Sequence, residues 1–242
     1  GALGGSVNLS NKPFYSSDPM VSLSQAFGSF QTYVTSINLN LNSGKLGSDT
    51  RFNLRTSEND FMYYNNGIIP SDWMKQHHAA FRDIGFTQQF TYIPAKNHFL
   101  SIISWNQWND RDIPPIMTNV QKGGNPDEFQ QDFFSRNVIT WSYNKGATYF
   151  ELKSAVFIED QHYFLQTTTN EEDADIVTLI NSKNNSNGFF TKAKLVQELQ
   201  NGFGFTVGSE IGINTVQSTN YDGQKQRNIS SIYALAEKKI IN

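Results

Sequence analysis

The sequence predicts an all-β protein, an antiparallel transmembrane β-barrel, from two patterns that run along most of its 242 residues. Apolar and polar side chains alternate with a period of two, which is the spacing of a β-strand with two chemically different faces. The predicted strands are joined by connections that are alternately short and long. This is typical of barrels that have tight turns at one rim and loops at the other.

Ten strands are predicted, and the clearest is 202–214, where large apolar residues hold one parity and glycine or polar residues hold the other. The segments 20–27, 99–108 and 133–143 alternate less cleanly, and the parity of the last strand is ambiguous. In chain order, the predicted strands are 20–27, 32–42, 49–56, 84–92, 99–108, 133–143, 150–158, 189–199, 202–214 and 227–238.

The predicted connections sort by length. The short ones lie near 42–48, 94–98, 143–147 and 200–202, and the long ones near 57–80, 110–131, 166–188 and 217–226. The junction at 28–30 is an exception, because it is short where a long loop is expected. No helix of normal length is predicted, although 71–82 has weak helical character within a long loop.

The residues of one parity along the predicted strands include many charges, and these charges indicate the environment that this face of the sheet meets. They are Arg51, Arg55, Glu151, Lys153, Lys192, Lys194, Glu198 and Glu210. A dry core excludes such residues, because each unpaired buried charge costs several kcal/mol. We therefore expect this parity to face a wet lumen or a polar plug, and the apolar parity to face lipid. The alternative is a soluble antiparallel β-protein with one wet face.

The composition is that of a folded chain and excludes several classes of protein. Hydrophobic residues make up 38% of the sequence, and the formal net charge of −3 gives no basic surface for nucleic acid. Because there is no cysteine, disulfides, cysteine-ligated zinc and cysteine nucleophiles are excluded. The longest apolar run, 232–236, has five residues and is too short for a transmembrane helix, whereas barrel strands cross a membrane with low overall hydropathy.

The first residues and the order of the strands carry a family resemblance. Residues Gly4, Gly5, Ser6, Val7 and Asn8 resemble the closing motif of the plug in TonB-dependent outer-membrane receptors. In that family the motif directly precedes the first barrel strand. The parts that follow are also similar: a strand ending at 27–30, a second strand, a tight turn, and a third strand that runs into the aromatic segment 58–66. The stretch 108–115 resembles a strand end and loop of cobalamin- and siderophore-type members.

The resemblance implies a plug inside a barrel of 22 strands. Residues 1–17 are then the end of the plug domain and 18–242 the first part of the barrel, so we expect the chain to be a piece of a longer protein. The implied function is TonB-dependent uptake of a bulky, scarce nutrient such as cobalamin or a ferric chelate, with no enzyme activity and no cofactor. The implied partners are outer-membrane lipid, the TonB complex, the ligand and, as in related receptors, a surface lipoprotein.

Aromatic residues in or near the long loops are the candidate ligand platform. A flat, bulky ligand such as a corrin or a metal chelate needs aromatic contact and a few polar anchors. The candidates are Tyr63, Tyr64, Trp73 and Trp108, with Arg111 as an attractor for an anionic ligand. For Trp105 and Trp108 the competing interpretation is an aromatic girdle at the membrane interface.

Three other patterns are explained more simply by structure than by a functional site. His77 and His78 are adjacent, so on extended chain they point apart and chelate a metal poorly. The acidic run 171–175 lacks the spacing of a calcium loop, and a solvated loop is the simpler interpretation. Asp110 and Asp112 with the histidines raise the alternative of a self-contained ten-strand outer-membrane protease, which no residue spacing supports.

Overall fold

The computed structural model describes residues 19–114, 127–168, 176–199 and 202–238, and these residues form twelve β-strands. Ten strands form one sheet, and the other two form a separate hairpin. The sheet contains β1 (Met20–Gly28), β2 (Thr32–Ser43), β3 (Leu46–Ser57), β6 (Phe81–Tyr92), β7 (His98–Asp112), β8 (Asp127–Lys145), β9 (Thr148–Thr168), β10 (Ile176–Glu198), β11 (Phe203–Ser218) and β12 (Lys225–Lys238), and the hairpin consists of β4 (Met62–Asn65) and β5 (Asp72–Lys75).

The sheet is a meander in which each strand pairs antiparallel with its neighbours along the chain. The prediction of an all-β antiparallel architecture with ten principal strands is therefore confirmed. Within the described residues, β1 pairs with β2 alone and β12 with β11 alone, so the sheet is open. A self-contained, closed ten-strand barrel is not what these strands form.

The connections at the two ends of the strands differ in length. We call the row of strand ends that carries the tight connections 44–45, 93–97 and 146–147 the turn rim. We call the opposite row, where β1, β3, β7, β9 and β11 end, the loop rim. The hairpin β4–β5 belongs to the connection between β3 and β6, and it therefore stands at the loop rim.

Two sequence predictions about the connections are wrong. The stretch 166–188 is mostly strand, because β9 continues to Thr168 and β10 begins at Ile176. Strand pairing uses backbone groups, so the polar run 181–187 pairs as regularly as an apolar one. The prediction of weak helical character in 71–82 is also wrong, because Asp72–Lys75 form the strand β5, which pairs with β4. An aromatic residue such as Trp73 fits a strand well.

The two faces of the sheet have the predicted difference in chemistry. Direct cross-strand partners share a face, and the registers place all eight predicted charged residues, Arg51 and Lys192 among them, on one side, which we call the charged face. The opposite side carries Leu39, Phe90 and Leu152, and we call it the apolar face.

The described part of the chain contains almost no dry core. Ala79 is its only buried hydrophobic residue, whereas Phe90 and Ile211 on the apolar face are 53% and 56% exposed. Monomeric proteins in water rarely expose a continuous apolar surface of this kind. The apolar face therefore needs a partner environment that the sheet itself does not provide.

Aromatic rings on the charged face lie flat over glycines of the neighbouring strand. Phe190 is the direct partner of Gly212, and Phe157 is the direct partner of Gly188. The two rings stack with centroids 5.9 Å apart and planes 19° apart. A Cβ atom on Gly212 would lie 2.5 Å from Phe190 Cδ1, so the ring can lie flat only because residue 212 has no side chain.

Two further predictions concern residues outside the described ranges. The plug motif Gly4, Gly5, Val7 and Asn8 lies in 1–18, and the acidic run lies in 169–175. Within the described ranges, no helix has the length and apolar character to cross a membrane.

Candidate functional site at the loop rim

The five residues predicted as a ligand platform all lie at the loop rim, but in three separate places. Tyr63, Tyr64 and Trp73 belong to the hairpin β4–β5, whereas Trp108 and Arg111 belong to β7. Since Trp108 and Arg111 are three residues apart on one strand, they lie on opposite faces of the sheet.

The hairpin brings two of the predicted residues into contact. Tyr64 and Trp73 are direct cross-strand partners, and their ring centroids are 5.6 Å apart in an edge-to-face arrangement. The two side chains are 52% and 62% exposed. Met62 shares their side of the hairpin and is 57% exposed, so these three residues form an exposed apolar surface that we call the hairpin face.

The hairpin is held in shape by hydrogen bonds around one buried side chain. Asn65 is fully buried, its Oδ1 accepts the backbone N–H of Gly67 at 2.9 Å, and its Nδ2 donates to Met74 Sδ at 3.4 Å. The backbone N–H of Gln76 donates to the carbonyl of Phe61 at 2.8 Å and extends the pairing beyond the two strands. A polar side chain thus takes the place of an apolar core in this small element.

Phe61 and the turn between β1 and β2 fasten the hairpin to the sheet. The Phe61 ring lies 5.9 Å from Phe30 and 6.3 Å from Tyr63, so Tyr63 packs on the side away from the hairpin face. The Phe30 carbonyl accepts hydrogen bonds from the Glu58 backbone at 3.1 Å and from the Ser57 hydroxyl at 3.0 Å. These contacts fix where the hairpin leaves the rim.

An ion pair joins the end of the hairpin to the segment that precedes it. Lys75 Nζ lies 2.6 Å from Asp60 Oδ2, and the hydrogen bond from Lys75 lowers the pKa of Asp60 below its ordinary value. Both side chains are partly exposed, so the pair contributes to the orientation of the hairpin more than to global stability.

Arg111 is partly neutralised by a neighbouring carboxylate. Its Nη2 lies 3.8 Å from Asp132 Oδ2, and the Asp132 carboxylate also accepts a hydrogen bond from Gln130 at 2.9 Å. The Arg111 side chain remains 52% exposed, so the guanidinium is still accessible to an anion at the rim.

Trp105 and Trp108 lie on opposite faces, which corrects the interpretation that both belong to one aromatic girdle. The Trp108 ring lies 5.2 Å from Phe133 on the apolar face. The Trp105 ring lies 5.3 Å from Phe134 and beneath the guanidinium of Arg136 on the charged face. The two tryptophans are three positions apart on one strand, and an odd separation places them on opposite faces; the irregular alternation of 99–108 concealed this.

An aromatic group at the turn rim was missed. His98 and Trp141 stack with centroids 6.0 Å apart, and Trp141 Nε1 lies 3.3 Å from His98 Nδ1. Tyr143 and Phe150 complete the group on the apolar face. The signal for it was present in the sequence, because all four residues flank the short predicted turns.

A groove on the apolar face was also missed. It lies at the loop rim between β6 and β11, has a volume of about 970 Å³, and includes Trp108 and Phe133 in its lining. The alternation of single strands does not reveal such a groove, because its members come from six strands and meet only through the register. Within the described ranges, no group of three or more His, Asp or Glu residues has the geometry to hold a metal ion.

Comparison with known proteins gives a likeness at the level of fold. No family model and no curated protein matches the sequence. The structure is similar to the ferric citrate transporter FecA in its unliganded form, with a TM-score of 0.52 and 9% identity over 88% of this chain and 35% of that chain. It also matches the ferric yersiniabactin uptake receptor FyuA from Yersinia pestis, with a TM-score of 0.47 and 10% identity over 93% of this chain and 44% of that one. The chain thus spans about a third of the length of FecA.

Proposed function

We propose that the chain forms part of the barrel wall of an outer-membrane receptor that actively imports a bulky, scarce nutrient in a TonB-dependent manner. The observation that carries the proposal is a ten-strand antiparallel meander with one exposed apolar face and one charged face. The similarity in fold to a ferric citrate transporter supports it. The likeness of residues 4–8 to a plug-closing motif supports the same assignment.

The apolar face is suited to lipid. Taking a large aliphatic or aromatic side chain out of water is worth about 1.5–3 kcal/mol, and side chains such as Phe90 and Ile211 remain half exposed in the sheet alone. A soluble β binding protein, the alternative, needs a second layer over this face. The described residues supply no such layer, whereas a bilayer supplies it without further protein.

The charged face is suited to a water-filled interior that holds a plug. Its ion pairs, such as Arg136–Glu159 at 2.7 Å and Arg55–Asp83 at 2.6 Å, involve side chains that keep substantial contact with solvent. A polar wall of this kind allows a plug to slide against it without breaking a dry, close-packed interface. In the proposed cycle, TonB supplies the pull on the plug, and the chain performs no covalent chemistry.

The proposed ligand is a ferric chelate, and its proposed contact is the hairpin face. Tyr64 and Trp73 offer two exposed rings at 62° to each other, which can contact a bulky chelate from two directions. Tyr63 supports the hairpin from behind, and Arg111 lies at the same rim as a counter-charge for an anionic complex. Cobalamin is the second candidate ligand, and a surface lipoprotein over the loop rim is the second candidate partner.

Uptake by cells that produce the complete protein containing this chain tests the proposed function. We expect radioactive iron supplied as ferric citrate to enter such cells, and we expect uptake to stop when TonB is deleted. Labelled cobalamin supplied in the same way distinguishes the two candidate ligands. Uptake that continues unchanged without TonB would refute the proposal, and so would recovery of the protein outside the outer-membrane fraction.

The variant Trp73→Ala tests the hairpin face separately. Removing the indole is expected to weaken chelate binding about tenfold, which corresponds to about 1.4 kcal/mol. Tyr221→Ala is the matched control, because Tyr221 is also an exposed aromatic residue in a loop-rim connection but lies outside the hairpin. Equal binding by the two variants would discard the hairpin face as the contact and leave the proposed transport function untouched.

A further inference from the structure

The groove at the loop-rim end of the apolar face has the chemistry of a sugar-binding site, and we propose that it binds a short oligosaccharide. The groove spans β6 to β11, with a volume of about 970 Å³, which is the size of a site for a sizeable small molecule. None of its lining residues belongs to the hairpin β4–β5, so it is separate from the proposed chelate contact.

Two adjacent rows of directly paired residues line the groove. The outer row, nearest the loop rim, consists of Arg82, Asp110, Gln131, His162 and Lys183. The inner row consists of Ile84, Trp108, Phe133, Asp160 and Asn185. Because paired strands lie about 4.8 Å apart, each row extends about 19 Å from β6 to β10. This length suits a chain of several linked rings better than a single compact molecule.

The floor of the groove is aromatic and open. Trp108 and Phe133 are direct partners, their ring centroids are 5.2 Å apart, and Trp108 is 44% exposed. A flat indole presents a surface that matches the C–H face of a pyranose ring, whose hydroxyls point outward around the edge. An aromatic floor with polar groups at its sides can therefore contact the C–H face of a sugar ring with the floor and its hydroxyls with the polar groups.

The polar groups beside the floor are held in place by one another. Gln131 Nε2 donates to Asp110 Oδ1 at 3.4 Å, and Asn185 Nδ2 donates to Asp160 Oδ1. A carboxylate has about four acceptor sites, so each of these carboxylates keeps free acceptor capacity after the amide has donated. A fixed carboxylate beside an amide can accept from one hydroxyl of a sugar and donate to the next.

The charges in the groove favour a sugar over a simple anion. Arg82 and Lys183 stand at the two ends of the outer row, and neither side chain makes an ion pair with another described residue. The carboxylates of Asp110 and Asp160 also line the groove and balance these cations. A site for a bare phosphate concentrates positive charge, whereas this groove distributes both signs along its length.

The position of the groove gives two sources for the sugar. It continues the apolar face beyond the band of apolar side chains, so under the proposed function it meets the head-group sugars of an outer-leaflet glycolipid. A free oligosaccharide is the other source, and it does not depend on the proposed function. Both sources share the ring-and-hydroxyl chemistry that the two rows recognise.

Calorimetric titration of the complete protein in detergent micelles tests the inference. The probes are a lipopolysaccharide, its core oligosaccharide released by mild acid, maltohexaose and inorganic phosphate. Binding of the first two supports the glycolipid source, and binding of maltohexaose alone supports the free source. Binding of phosphate without any sugar, or no binding at all, would overturn the inference.

Three variants connect the binding to the groove. Trp108→Ala and Asp160→Asn are each expected to weaken sugar binding at least tenfold, whereas Trp108→Phe keeps a flat ring and most of the affinity. Trp105→Ala is the matched control, because Trp105 lies on the same strand, has a similar exposure of 39% and points to the opposite face. Equal sugar binding by Trp108→Ala and wild type would also overturn the inference. Ferric chelate uptake is expected to be unchanged in Asp160→Asn, because Asp160 belongs to the groove and not to the predicted ligand platform, so the two proposals fail independently.

Discussion

Replacing Gly212 with alanine is expected to destabilise the sheet through a clash that can be traced to single atoms. The new Cβ would lie 2.5 Å from Cδ1 and 2.6 Å from Cε1 of Phe190, and both distances are shorter than real Cβ contacts. Phe190 is stacked on Phe157, which in turn covers Gly188, so the ring has no free space on that side. Overpacking of this kind costs about 1–3 kcal/mol.

Gly85→Ala is the matched control for this prediction. Gly85 also lies within a strand on the charged face, but a Cβ there would meet only Asn53 atoms at 3.9 and 4.0 Å, which is ordinary contact. Removing a glycine without a clash reduces the freedom of the unfolded chain and stabilises by about 0.4–1 kcal/mol. The two substitutions are therefore expected to have opposite signs although the chemical change is the same.

Urea unfolding of the complete protein in detergent micelles, followed by tryptophan fluorescence, measures both free energies of unfolding. A second Gly212→Ala variant in a Phe190→Leu background removes the ring and is expected to abolish most of the cost. The reasoning fails if Gly212→Ala and Gly85→Ala change the free energy of unfolding by the same amount. It also fails if the cost of Gly212→Ala is unchanged when Phe190 is leucine.

Two further predictions concern the hairpin β4–β5. Asn65→Ala removes a buried side chain that bonds Gly67 and Met74, so we expect segment 62–75 to open locally at a cost of about 1–3 kcal/mol, measured as faster amide exchange there and absent in the exposed control Asn66→Ala. Because its pairing with Lys75 lowers the pKa of Asp60, the stabilisation by this pair is fully present above the ordinary value of 3.8 and is lost as the pH falls through the lowered value. Protection of the amides in 62–75, measured as exchange relative to the intrinsic rate at each pH, should therefore fall on acidification. Lys75→Met should remove that part of the pH dependence, and an unchanged profile would contradict the role of the pair.

Much of the fold could be predicted from alternation because strand faces are a local property. The parity of residues such as Lys153 and Leu152 is visible in the sequence, and the structure puts all eight predicted charged residues on one face. Strand length was harder to predict, because hydrogen bonding along β9 and β10 continues through polar residues that carry no hydrophobic signal. The alternation predicts which stretches have one polar and one apolar face. It does not predict the residue at which pairing with the neighbouring strand stops.

The candidate site could be predicted only in part, because its members meet through pairing between strands. The sequence predicts Tyr64 and Trp73 as loop aromatics, but their contact depends on the two-strand hairpin that brings position 64 opposite position 73. Trp108 and Arg111 are near neighbours in the predicted platform, and the strand separates them onto two faces. The sequence does not indicate Asn65, because a buried asparagine in a loop has no distinctive sequence pattern.

The sequence by itself determined the fold class and the two chemistries of the sheet, since both follow from the side-chain order along single strands. The tertiary structure alone decided the register, and with it the hairpin face, the aromatic–glycine pairs and the groove across β6 to β11. The physical reason is that register is a relation between distant segments. Shifting one strand by a single residue leaves its own alternation intact and turns every side chain to the other face.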